Sequence, residues 1–335
     1  MATDVGLLLV SITVILAGCE LFTNGIEWLG HKLGLSEGAT GSVLAAVGTA
    51  MPETMIPILA LIFGRTTEIG EEIGIGAILG APFMLSTLAM FVGGISIVTF
   101  SLAGRRERRL QLDNETIELD LKFFLAVFIL AFIAAFIPMR PIKWLIAIAL
   151  VGAYIYYLKI ILSGEGDGVT PQPKRLYLSK FSTHSNPNLP LVALQVAISL
   201  GLIIGGARIF VRAVEAISLA AGVSTAVLSF LIAPVATELP EKANSVLWYS
   251  RRQDTLAMGN ITGAMVFQSS IVVALGIVMT RWVLEPIELG SVLLALFSAS
   301  LMFIYLKTMK HLHAYLLLLG GPFYLAYVLY YLMIR

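Results

Sequence analysis

Charge is scarce in this chain. Its 335 residues include 22 basic and 21 acidic side chains, 13% of the whole, where a soluble domain devotes about 25% to them. So thin a supply cannot cover a water-exposed surface, which excludes an ordinary soluble globule. Cysteine is scarcer: Cys19 is alone, so intramolecular disulfides are excluded and the redox compartment leaves no mark. The first apolar run, residues 5–18, has no basic region ahead of it and leads into Glu20, Asn24 and Glu27, as expected of a membrane-spanning helix and not of a cleaved signal. The glycine-rich stretch at 164–168 lacks the Lys-Ser/Thr of a phosphate-binding loop.

What is present is apolar. Hydrophobic residues make up 58% of the chain, the mean hydropathy is +0.90, and apolar runs recur from end to end. A span needs roughly 20 mainly apolar residues. That measure predicts an all-α membrane protein with ten transmembrane helices: about 4–29, 36–63, 73–101, 119–138, 141–162, 189–216, 223–250, 256–281, 286–306 and 311–333. The polar stretch between the fifth and sixth divides them evenly. The expected organisation is a five-helix repeat at 1–163, a cytoplasmic linker at 164–188 and a second five-helix repeat at 189–335.

Basic residues set the orientation. With the N-terminus outside, fourteen fall at cytoplasmic ends and loops against seven outside, and Arg105-Arg106-Glu107-Arg108-Arg109 is the clearest anchor. The expected location is the cell membrane, crossed many times. Five helices per half make the second half enter with opposite polarity, so the repeat is inverted.

The halves also match in sequence. Residues 46–53 (AVGTAMPE) lie over 234–241 (PVATELPE), and Gly76-Ala77-Ile78-Leu79-Gly80-Ala81 lies over Gly259-Asn260-Ile261-Thr262-Gly263-Ala264. The motif regions run about 41–90 and 229–275. The first copy is five residues longer between its motifs, near Glu68-Ile69-Gly70-Glu71-Glu72, which reads as an outer loop.

Each copy places a glutamate directly behind a proline: Pro52-Glu53 and Pro240-Glu241. A carboxylate within a span is costly, about 2.5–3.5 kcal/mol on insertion scales, and marks an ion or substrate path by default. Proline has no N–H and clashes with the carbonyl four residues back, so the helix opens there and frees the carbonyls of Gly48 and Ala236. Thr49 and Glu53 are spaced i, i+4, as are Thr237 and Glu241, so each pair shares a face. Hydroxyl, carbonyl and carboxylate then converge from each half on an all-oxygen site, which suits Ca²⁺ and not the softer metals. The competing reading is a buried glutamate paired with a neighbour such as Lys242.

The two copies resemble the α-repeats of the cation/calcium antiporter superfamily, the sodium/calcium exchangers and their relatives. There the pattern is Gly-Thr-Ser-Leu-Pro-Glu, followed on the next helix by Gly-Asn-x-x-Gly-Ser-x-x-x-Asn. The resemblance covers nearly the whole chain. It implies that Glu53 and Glu241 are the paired metal ligands, that Thr49 and Thr237 add oxygens, and that Gln268 holds the amide or acid position of the second repeat. Departures touch the family's sodium sites: Ala50, Ala81, Ala264 and Leu85 replace its serines and first-repeat asparagine, while Glu238 adds a carboxylate i, i+3 from Glu241.

The function this implies is secondary antiport of a divalent cation, Ca²⁺ first, for monovalent cations, Na⁺ first, by alternating access. The first and sixth helices would slide over the remainder. The lost sodium ligands and gained Glu238 keep a proton-coupled Ca²⁺ or other divalent exchanger open. An intramembrane enzyme using Glu53 and Glu241 is the rival of another class, and it lacks a nucleophile or His–Glu metal motif at that depth. No cofactor is expected beyond the transported ions. The expected partners are inorganic cations and the bilayer, not nucleic acid, and the expected state is a monomer.

Overall fold

A computed structural model describes residues 2–35, 40, 41, 46, 50, 67–163, 173–181, 187–221 and 238–334. Its helices are α1 (Ala2–Leu33), α2 (Thr67–Met84), α3 (Met90–Leu102), α4 (Asn114–Ala135), α5 (Arg140–Ser163), α6 (Leu189–Ala221), α7 (Leu239–Ser250), α8 (Asp254–Phe267), α9 (Val273–Met279), α10 (Pro286–Met309), α11 (Ala314–Leu318) and α12 (Gly320–Ile334). Among the described residues, six helices are long and apolar enough to cross a membrane. The expected helix at 36–63 and the first half of that at 223–250 lie almost wholly outside the described residues.

One expectation is corrected. The acidic stretch Glu68 to Glu72, read as an outer loop, is helical and forms the first turns of α2.

The first helices of the two halves pack in opposite directions, as inverted halves require. A Cβ built on Gly18 of α1 would lie 2.9 Å from Ile203 of α6, one on Gly25 2.9 Å from Val196, and one on Gly206 2.8 Å from Ile15. The numbers rise along α1 as they fall along α6, so the first helix of each half runs antiparallel to the other. Glycine permits this approach because any side chain there would have to displace its neighbour.

Both halves share an irregularity. α2 passes into α3 through a π-helical turn, Leu85–Ala89, and α8 passes into α9 through another, Gln268–Val272. The displacement of 183 residues that carries Gly76 to Gly259 also carries Leu85 to Gln268 and Ala89 to Val272. Pro82 precedes the first turn but has methionine at the equivalent place, so proline is not the shared feature. A pair of adjacent back-bonding hydroxyls is common to both turns. Ser86 and Thr87 donate to the Phe83 carbonyl, while Ser269 and Ser270 donate to Met265 and Val266. Such back-bonding competes with the backbone ladder and widens it. π turns recur at functional sites.

The ends of the bundle are knit differently. At one, Leu110 N–H donates to Leu312 O and Ala314 N–H to Arg108 O. There Arg106, buried beneath the arginine run, makes a bidentate pair with Asp254 at 2.7 Å per bond. At the other, Lys143 donates to the carbonyls of Arg281 and Trp282.

The described residues of the linker pack on α1 and α6. Lys174 O accepts from Asn24 and Trp28, Tyr177 donates through its hydroxyl to Glu20, and Leu178 N–H donates to Gln195. Asn24 and Glu20 therefore pin this segment across α1 and α6.

Candidate ion site

The site is built on the start of α7. Glu238 precedes the helix with φ −84° and ψ 6°, and Pro240 and Glu241 fall in its first turn. The proline therefore begins a helix, as its ring favours. Glu238 and Glu241 are fully buried, and Lys242 is 6% exposed.

Spacing aims this face. Glu238, Glu241, Lys242 and Ser245 recur at i, i+3, i+4 and i+7, a single stripe. The stripe meets α8, where the Asn260 amide donates to Glu241 O at 3.1 Å and Ser245 Oγ at 3.3 Å, and Ser245 donates to Ala257 O. A second stripe meets α1: Thr23 donates to Asn244 Oδ1 at 2.8 Å, and Trp248 donates to Glu27 at 3.2 Å. Both numbers rise by four, so α1 and α7 run parallel, which places Cys19 level with the Pro240–Glu241 step. The Cys19 thiol lies within the field of Glu241. The Glu241 backbone thus sits where α1, α7 and α8 meet.

Lys242 pairs with the glutamate one turn back. Its Nζ lies 2.9 Å from Glu238 Oε2. Helical geometry brings i and i+4 together and points neighbours apart.

Gln268 begins the second π turn and is 1% exposed. Among the described residues neither amide atom has a hydrogen-bond partner, and the same holds for Glu238 Oε1 and Asn244 Nδ2. Buried polar groups are ordinarily satisfied, so unsatisfied ones in this helix cluster, Glu238 Oε1 among them, fit places for an ion or water. Gln268 lies two turns beyond Asn260 along the same helix line. Thr49, Glu53 and Thr237 lie outside the described residues. Among the described residues no three acidic, histidine or cysteine side chains gather as a metal cluster; any all-oxygen site draws also on amides and hydroxyls.

Sequence reasoning passed over Asp120. This fully buried carboxylate of α4 accepts from Tyr157 at 2.8 Å and from Thr262, within the second glycine motif, at 2.6 Å. Its only signal was its own position, an acid near the start of an apolar helix. The paired hydroxyls of the π turns were also legible, had the 183-residue displacement been followed past Ala264.

Comparison with known proteins is consistent across methods. The family model described as Sodium/calcium exchanger protein matches residues 3–163 and 191–334. The chain is 20% identical over 285 residues to a putative antiporter, CaxA, of Alkalimonas amylolytica, covering 84% of this chain and 82% of that one. It is 22% identical over 306 residues to an uncharacterized membrane protein, MJ0091, of Methanocaldococcus jannaschii, covering 88% and 89%. Its fold is that of the sodium-calcium exchanger NCX_Mj. The TM-score is 0.75 at 19% identity, covering 98% of both chains, for the form soaked with 2.5 mM Na⁺ and 10 mM Sr²⁺. For the form soaked with zero Na⁺ and Ca²⁺ it is 0.71 at 19% identity, covering 97% of both.

Proposed function

Because this chain belongs to the sodium/calcium exchanger family and is therefore a membrane cation antiporter, not an enzyme, we propose that it exchanges Ca²⁺ for Na⁺ by alternating access, with Glu241 as a direct ligand. The observation that carries this reading is the wholly buried pair of carboxylates at the start of α7. Glu53 supplies the matching carboxylate from the first repeat. Thr49, Thr237 and Gln268 complete an oxygen-rich shell, and Glu238 stands beside it. Calcium accepts six to eight oxygens in flexible geometry, which suits carboxylates, carbonyls and amide oxygens gathered from broken helices.

Exchange follows from charge. Two carboxylates left empty in a low-dielectric interior are costly, whereas the pair loaded with Ca²⁺ or with monovalent ions is not. The protein changes its facing only when loaded, so one ion species moves in as the other moves out. The closely packed antiparallel pair of α1 and α6 is the moving body, sliding against α7 and α8. The end that gathers Arg105 to Arg109 faces the cytoplasm, with the N-terminus outside the cell.

The test is reconstitution of the purified chain into vesicles, with radiolabelled Ca²⁺ uptake followed under imposed Na⁺, K⁺ and H⁺ gradients. A Na⁺ gradient drives uptake, and Glu241→Gln or Glu53→Gln abolishes it. Undiminished uptake in either variant rejects the ligand assignment. Uptake driven by pH alone at constant Na⁺ makes the chain a proton-coupled exchanger.

A further inference from the structure

Glu238 and Lys242 form a buried ion pair on the face of α7 that also carries Glu241. The two side chains are 0% and 7% exposed and meet at 2.9 Å. Among the described residues Glu238 Oε1 has no partner, so the carboxylate is matched by the ammonium alone. Asn260 and Ser245 fasten this turn to α8, which fixes where the pair sits relative to Glu241.

We propose that Lys242 is a resident cation of the transport site, tethered where a mobile monovalent ion would otherwise neutralise Glu238. The proposal rests on the antiporter reading of the same site. A carboxylate removed from water needs a positive partner close by. The lysine ammonium is a compact single charge with three donors on a flexible stem, so it provides what a bound monovalent ion would, without leaving. Glu238, Glu241 and Lys242 together contribute one net negative charge instead of two. One fewer monovalent ion is then needed to discharge the site, and the coupling ratio is set by a side chain.

The pair has no evident use as a plain structural contact. A buried pair is commonly replaced by apolar residues at no loss of stability. Counted from Glu238, Glu241 stands at i+3 and Lys242 at i+4, which instead puts the ammonium among the site's own charges.

Four proteins test it: the wild type, Lys242→Met, Lys242→Arg and the double variant Glu238→Gln/Lys242→Met. Two readouts are needed. One is the Hill coefficient for Na⁺, Li⁺ and K⁺ in driving Ca²⁺ flux in vesicles. The other is the shift of the melting midpoint of the purified full-length chain with each ion, which requires no transport. Lys242→Met frees one carboxylate, so its Hill coefficient rises by about one and it gains an ion-dependent stabilisation. Lys242→Arg and the double variant keep the wild-type dependence. The proposal is overturned if Lys242→Met titrates like the wild type, or if the double variant behaves like Lys242→Met. Should Lys242→Met fail to fold, the double variant decides alone: altered ion dependence refutes the resident-cation role. Loss of the site assignment would show separately, as Ca²⁺ flux retained in Glu241→Gln.

Discussion

The Arg251 guanidinium lies 2.7 Å from Glu20 and 3.2 Å from Glu27, fastening the end of α7 to the polar face of α1. If α1 moves with α6 against α7, as proposed above, this contact latches the two bodies at the end where the linker docks. Arg251 is about one-fifth exposed, so solvent screens the pair and its worth is at most about 1 kcal/mol.

The lone cysteine reports on the latch. Cys19 is buried on α1, level with the first turn of α7. In wild-type protein it reacts slowly with small thiol reagents. Arg251→Gln shifts the balance toward conformations that expose it and raises the labelling rate by up to about fivefold, the equivalent of 1 kcal/mol. An unchanged rate means the latch does not hold α1.

Among the described glycines of the C-terminal half, Gly320 has the closest neighbour. A Cβ there would stand 2.1 Å from the Thr87 carbonyl oxygen in the first π turn, and that neighbour is backbone. The same turn accepts Ser298 Oγ–H at Ser86 O, 2.6 Å away. Gly320→Ala therefore forces α12 away from the turn and destabilises the protein by about 1–3 kcal/mol, the usual range for overpacking. A lowered melting midpoint in detergent checks this, and an unchanged one refutes the close packing.

Arg106 and Asp254 are a buried pair whose partners cannot be removed singly. Arg106→Ala or Asp254→Asn leaves an uncompensated charge and costs about 3–5 kcal/mol, whereas replacing both with apolar residues of similar size restores much of the loss. A double-mutant cycle on thermal stability measures the difference. Additive losses would show that the two side chains act independently.

Tyr177 makes the linker strap sensitive to alkali. Its hydroxyl donates to Glu20 at 2.6 Å, and that bond, with burial and the Glu20 charge, holds the phenol above its ordinary value of 10.0. Because the folded value is raised, the contact contributes fully below the unfolded value and is lost as the pH rises through the folded one. Subtracting the tyrosinate absorbance titration of Tyr177→Phe from that of the wild type gives a midpoint above 10. A midpoint at or below 10 removes the hydrogen bond from the account.

The sequence by itself determined the all-helical membrane class, the division into two halves and the glutamates behind prolines. Each of these is local. Span length, proline chemistry and charge scarcity act on neighbouring residues, and a motif repeated in the same chain is visible wherever it folds. Only the tertiary structure decided which groups meet. Lys242 turns to Glu238 because a helix brings together residues one turn apart. Glu20 and Asn24 hold the linker, a contact spanning about 150 residues of chain. The shared π turns required both levels: the serine and threonine pairs stand in the sequence, but hydroxyls become backbone acceptors' partners only inside a helix too dry to offer them water.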